Sequence, residues 1–215
     1  MINNNQSFEK SAGIALLAFT VLLLFTMVLH PAGSNVPGLI RLSTMIIITH
    51  AAAMLALPIG WVGFWGVSRY LGTDRFTSIL GFSFISIAII AAMLAGATNG
   101  LVLPLFLRGY ADAPEEVLNG LQPVVRYSFA VNMAFDYIYT GAFSLGILSW
   151  SILILQSKKM AAWIGWTGML LAALMIVLFF GGIANANRVM GLRIFLTGVL
   201  LWIVIVALIL VKKRE

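Results

Sequence analysis

Two side chains in this chain sit where lipid would reject them. His50 and Asp136 each lie inside a long apolar stretch, and an ionisable group there is costly and faces the interior of a helix bundle. Asp136 has polar company at helical spacing. Asn132 and Thr140 flank it four residues away on either side, and Tyr139 and Ser144 follow it by three and eight. On a helix these positions share a face. That face must turn inward, because hydrocarbon offers a carboxyl no partner. The chemistry open to such a pair is proton carriage or ligand binding. An imidazole exchanges a proton near neutral pH, and a carboxylate serves as its charge partner or as a seat for a cation. The same two groups would also suit a buried hydrogen bond that only fixes helix packing.

Other polar residues gather at the ends of the apolar stretches. Thr98 and Asn99 close the third, Asn185 and Asn187 the fifth, and His30 closes the first beside Pro31. His50 follows Arg41 by nine residues and Asp136 follows Arg126 by ten. At 1.5 Å per residue these are depths of about 13 and 15 Å. Against a hydrocarbon layer about 30 Å thick, both are predicted near the midplane, approached from the side of Arg41 and Arg126. The candidate ligand-binding set is therefore His50, Asn99, Asn132, Asp136, Tyr139 and Thr140.

Several chemistries are missing by inspection. The chain has no cysteine, which removes disulfides, thiolate metal sites, iron–sulfur clusters and cysteine nucleophiles. It has no phosphate-binding loop, no H-E-x-x-H, no G-x-S-x-G and no G-x-G-x-x-G. Asp136 has no second carboxylate beside it within an apolar stretch, and no lysine lies inside one. This argues against an intramembrane aspartyl protease, two-metal phosphoryl transfer and a retinal Schiff base. No cofactor is expected. For haem, His30 reads as a surface residue and His50 as about 13 Å deeper, so their depths would not match on one iron. A metal held by His50 and Asp136 alone would lack a third strong ligand.

The elements that must position these residues follow from composition. Hydrophobic residues make up 61% of the 215, charged residues only 9%, and mean hydropathy is +1.04. Soluble domains carry about a quarter charged residues, so lipid is the expected outer solvent. Apolar runs cover roughly 11–30, 43–68, 77–107, 127–156, 160–184 and 192–211, each near the ~20 residues a spanning helix needs. The predicted fold is all-α, an integral membrane bundle of six transmembrane helices. It occupies 11–211, between a polar head at 1–10 and a basic tail at 212–215. The third loop contains Asp112-Ala-Pro-Glu115-Glu116, a capping-box spacing that predicts a short interfacial helix with Val117, Leu118 and Leu121 on one face. Ala88, Ala92, Gly96 and Gly100 recur every fourth residue and predict close helix packing. The third span is longer than needed and ends in Gly100 and Pro104, which predicts that it tilts or breaks near its outer end. The tryptophans Trp61, Trp65, Trp150, Trp163 and Trp166 read as an interfacial belt.

Orientation follows from charge. Lys10, Arg69, Arg75, Lys158, Lys159, Lys212, Lys213 and Arg214 fall on one side, and Arg41, Arg108, Arg126, Arg188 and Arg193 on the other. Eight against five predicts cytoplasmic termini. The net charge of +6 is scattered through short connections, so it reads as topology signal and not as a nucleic-acid surface.

The chain resembles a family of small bacterial six-helix membrane proteins of unknown function. The residues that carry the resemblance are His30-Pro31, a histidine in the second span, Asn99-Gly100, Asn132-x-x-x-Asp136, and Gln156-Ser157-Lys158-Lys159 running into Trp163-Ile164-Gly165. Ala161-Ala162 stand where that family has Pro-Arg. The resemblance implies the six-helix fold and a bacterial inner membrane. The architecture is also similar to the substrate-capture subunits of energy-coupling-factor vitamin importers, although the first span has small residues every third position (Ala12, Ala15, Ala18) instead of every fourth.

The expected function is a small inner-membrane protein with an outward-facing polar pocket that binds or transports a small ligand. The alternatives are a membrane enzyme acting on a lipid or quinone-like substrate through His50 and Asp136, and a non-catalytic accessory or assembly subunit. The expected partners are the bilayer, a small molecule or lipid in the outer half, and either a second copy or a partner membrane subunit.

Overall fold

The computed structural model describes residues 2–30, 35–180 and 188–212, with side chains placed over 7–30, 35–180 and 196–212. The described structure is helical throughout. In chain order the elements are α1 (Ile2–Leu29), α2 (Val36–Leu71), α3 (Phe76–Ala95), a π-helix (Gly96–Val102), α4 (Leu103–Arg108), α5 (Glu115–Gly120), α6 (Gln122–Ser157), α7 (Ala162–Phe180) and α8 (Arg188–Lys212). Among the described residues five helical stretches are long and apolar enough to cross a membrane, and the apolar run Leu196–Lys212 within α8 is shorter.

The six long helices alternate in direction and form a closed ring, α1–α2–α3–α6–α7–α8 and back to α1, with α2 also touching α6 across the middle. Both ends of the described chain, the α2–α3 turn and the α6–α7 turn lie at one end, here the terminal end. The α4–α5–α6 connection marks the far end.

Polar side chains pin the terminal end. The Ser68 hydroxyl donates to the Ser78 carbonyl at 2.8 Å, and Ser78 returns the bond to the Ser68 carbonyl at 2.9 Å. Trp150 Nε1 donates to Ser68 Oγ at 3.2 Å. The indole packs where Gly81 leaves room, since a Cβ there would lie 2.6 Å from Nε1. Trp150 is thus fully buried and not part of an interfacial belt. Its N–H partners outweigh the general preference of tryptophan for an interface. Trp61, Trp163 and Trp166 are exposed, as a belt requires, and Trp65 is half-buried. Beside this cluster the Tyr70 hydroxyl donates to the Lys159 carbonyl and Lys159 Nζ donates to the Tyr70 carbonyl, both at 2.8 Å.

The helices are unequal in height. α2 and α6 have 36 residues each, α1 has 28 and α7 has 19. The far ends of α2 and α6 meet α4 in a small separate core of Val36, Leu39, Ile46, Leu103, Leu107 and Val125. Leu118 and Leu121 pack on it, whereas Val117 is exposed, so only two of the three residues predicted to share the inner face do so. α5 begins at Glu115 with Pro114 at its cap and no side-chain cap bond. The predicted Asp112 capping box does not form. Pro114 between Asp112 and Glu115 is extended (ψ 154°), which carries the aspartate away from the first helical turn.

Candidate functional site

A cavity of about 420 Å³ opens among α1, α2, α3, α6 and α8. Its polar residues come from three of the five regions that line it: Thr26 and His30 at the end of α1, Thr49 and His50 on α2, and Asn132, Asp136 and Tyr139 on α6. Its apolar residues include Phe19, Leu23, Leu57, Ile89 and Phe143. The two sets lie at different heights. Along α2, Leu57 is seven residues nearer the terminal end than His50, and along α6 Phe143 is seven nearer than Asp136. Seven residues of helix are about 10 Å. The cavity is therefore polar at its far end and apolar at the other.

His50 is held from two sides. Its Nδ1 lies 2.8 Å from the Ile46 carbonyl. A carbonyl only accepts, so Nδ1 carries the proton, and in the neutral ring Nε2 is left as an acceptor. On the opposite side the ring packs against Gly100, where an added Cβ would fall 2.1 Å from His50 Cγ. Gly100 belongs to the π-helix, a form that recurs at functional sites. Pro104 just beyond it has no N–H, and the Leu103 N–H reaches back five residues to the Thr98 carbonyl. The Thr98 hydroxyl donates back to Leu94 and Ala95, at 2.9 and 3.1 Å. The predicted break near Pro104 is thus a change of helical register and not an interruption.

His30 and His50 face one another, their ring centroids 5.0 Å apart and the planes at 63°. This corrects the unequal depths read from the chain. The distance from Arg41 to His50 runs along the taller part of α2, so it does not measure depth below the end of α1. The argument against haem from mismatched depth fails with it. Among the described residues no three His, Asp or Glu side chains gather as a metal cluster.

On α6, Asn132 Nδ2 donates to Asp136 Oδ2 at 2.9 Å, as the four-residue spacing predicts. The rings of Tyr139 and Phe143 lie 5.5 Å apart below it. Two candidate residues stay out of the cavity. Thr140 is fully buried outside the lining, and its hydroxyl has no partner among the described residues. Asn99 lies in the π-helix and accepts a hydrogen bond from the Ser128 hydroxyl, tying that segment to α6. Asn185 and Asn187 lie outside the described residues. Sequence reading missed Thr49 and Thr26. The signals were present, since Thr49 adjoins His50 and Thr26 lies one helical turn before His30.

No protein-family model, curated protein or solved structure matches the chain.

Proposed function

We propose that this chain is a six-span inner-membrane protein that binds a small amphipathic molecule in the cavity between α1, α2, α3, α6 and α8. The observation that carries this is the polarity gradient of the cavity, with His50, Asn132, Asp136 and Tyr139 at one end and aromatic and aliphatic side chains at the other. Its ~420 Å³ falls within the about 300–1,000 Å³ of small-molecule sites.

The bilayer is proposed to cover the terminal two-thirds of the bundle, with both termini cytoplasmic as the eight-to-five charge count favours. From Lys10 to His30, Arg69 to His50 and Lys158 to Asp136 the chain runs 20, 19 and 22 residues. Those are about 30, 28 and 33 Å of helix, one hydrocarbon thickness. On this reading the polar end of the cavity lies at the outer border of the membrane, and its apolar end reaches towards the midplane. The far ends of α2 and α6, with α4 and α5, would then stand in the outer interface.

The test is ligand binding to the purified chain in nanodiscs, with Ala53→Phe as the blocking variant, because Ala53 lines the cavity between its two ends. Compact amphiphiles should raise the melting temperature of the wild type and not of Ala53→Phe. Equal shifts in both would sink the reading.

A membrane enzyme using His50 as general base is the second reading. It draws support from the fixed ring orientation, but the orienting group is the Ile46 carbonyl, and not Asp136. A positioned base needs such a partner, and a backbone carbonyl serves. Turnover of a lipid or quinone-like substrate, lost in His50→Ala with the fold retained, would favour it over binding alone.

A further inference from the structure

Two thioethers share the cavity with the two histidines. Met27 and His30 lie three residues apart on α1, and His50 and Met54 lie four apart on α2, so each pair shares a helical face. All four side chains line the cavity. α1 and α2 run antiparallel side by side, and their imidazoles meet with centroids 5.0 Å apart. Counted along each helix from that contact, Met27 lies about 4.5 Å and Met54 about 6 Å towards the terminal end. Both methionines are therefore on the same side of the histidine pair. The π-helix backs the α2 pair. An added Cβ on Gly100 would meet His50, and one on Gly96 would meet Met54, 3.4 Å from Cγ and 3.7 Å from Sδ.

These four side chains make a donor set for a metal ion. An ion about 2.0–2.1 Å from an imidazole nitrogen stands roughly 3 Å from the ring centroid, so two rings at a tetrahedral angle on one ion have centroids about 5 Å apart. His30 and His50 stand at that spacing. His50 also has the outer bond that orients metal-binding histidines. Its Nδ1 proton goes to the Ile46 carbonyl, and Nε2 keeps its lone pair. The site requires only one nitrogen of each ring. The methionines decide which ion it suits. Thioether sulfur is soft and uncharged and favours Cu(I). Zinc takes imidazole, thiolate and carboxylate donors, and among the described residues no three His, Asp or Glu side chains gather to supply them. Two neutral imidazoles and two thioethers lose no proton on binding, so the four-donor complex carries the charge of the ion itself. Burying one positive charge costs far less than burying two, because the solvation penalty grows with the square of the charge.

We propose that Met27 and His30 of α1, with His50 and Met54 of α2, bind one Cu(I) ion. The proposal goes beyond the amphiphile reading and does not depend on it, because it concerns only the α1–α2 wall of the cavity.

The experiment uses the full chain, without an added histidine tag, in nanodiscs of neutral lipid. Under ascorbate and without oxygen, the wild type is expected to withdraw one equivalent of Cu(I) from its coloured bicinchoninate complex. X-ray absorption at the copper edge should then show both nitrogen and sulfur neighbours. Met27→Leu with Met54→Leu nearly conserves volume, so the bundle should keep its melting temperature without metal. Cu(I) affinity in that double variant should fall at least about tenfold, the loss that even an outer partner of a metal ligand causes, and the sulfur signal should disappear. His50→Ala should abolish stoichiometric uptake; if it does not fold, the methionine pair decides. Zn(II) should bind the wild type at least about tenfold more weakly than Cu(I). No stoichiometric uptake by the folded wild type overturns the proposal. So does uptake unchanged in the double methionine variant, which would place the copper on other methionines. Zn(II) binding as tight as Cu(I) overturns the soft-ion assignment. None of these results bears on the amphiphile reading, which Ala53→Phe tests separately.

Discussion

A methyl group on Gly100 would sit 2.1 Å from Cγ and 2.3 Å from Cβ of His50, so the ring and the π-helix backbone are in direct contact. Gly100→Ala is expected to cost about 1–3 kcal/mol, as overpacking does, and to weaken ligand binding by displacing the imidazole. Gly96 offers the control within the same stripe. Its added Cβ would meet only Met54, at 3.4 Å, and a flexible thioether chain can yield. Gly96→Ala should stay within about 0.5 kcal/mol of wild type. Reversible unfolding in mixed micelles measures both. A difference in cost between two glycines of one small-residue stripe would separate packing around His50 from packing in general. At the terminal end, Trp150→Phe keeps the ring and removes the N–H bond to Ser68. The expected loss is about 1 kcal/mol, against about 3–5 kcal/mol for Trp150→Ala. Equal losses in the two variants would mean that the hydrogen bond, and not the buried ring, dominates.

Among elements, the segment from the π-helix to α5 is the one whose position decides the site, since it carries Gly100 against His50 and Asn99 against Ser128. Its far end is tied down by Arg108, which donates from Nε to the Ser43 hydroxyl at 2.9 Å and from Nη2 to the Thr44 hydroxyl at 2.6 Å. Both partners are on α2. Arg108→Ala is expected to speed amide hydrogen exchange across residues 103–121 several-fold while the melting temperature changes little, because the small core of Val36, Leu107 and Val125 remains. Exchange unchanged there would show that this core holds α4 without the tether. An exchange increase spread through α3 and α6 would show that the segment and the bundle open as one unit.

For the whole molecule the prediction concerns sidedness. The chain contains no cysteine, so single cysteines can be placed without background. Lys10 and Glu116 are both exposed and lie at opposite ends of the bundle. In intact cells a membrane-impermeant maleimide should label Glu116→Cys and should label Lys10→Cys only after permeabilisation. The reverse pattern would invert the orientation and place the polar end of the cavity on the cytoplasmic side. Labelling of both without permeabilisation would break the six-span topology itself.

The order of apolar helices was legible in the chain because lipid-compatible runs of about 20 residues are a matter of composition and length alone. The stripe from Asn132 to Tyr139 was legible because helical spacing fixes which neighbours share a face. The sequence also singled out His50 and Asp136, since any ionisable group in such a run must turn inward. Height was not legible. Distances counted from Arg41 and Arg126 assumed that every helix ends at one level, whereas α2 and α6 continue past α1 and α7 to build a core of their own. Only the packed bundle could bring His30 within 5.0 Å of His50. Thr140 shows the same limit on a smaller scale. It shares the polar stripe with Asp136, yet it is buried outside the cavity lining, because which part of a broad helical face meets a cavity depends on where the other helices stand. The chain alone determined which residues must hide from lipid. Tertiary structure decided which of them meet, because that depends on how the helices stand against one another.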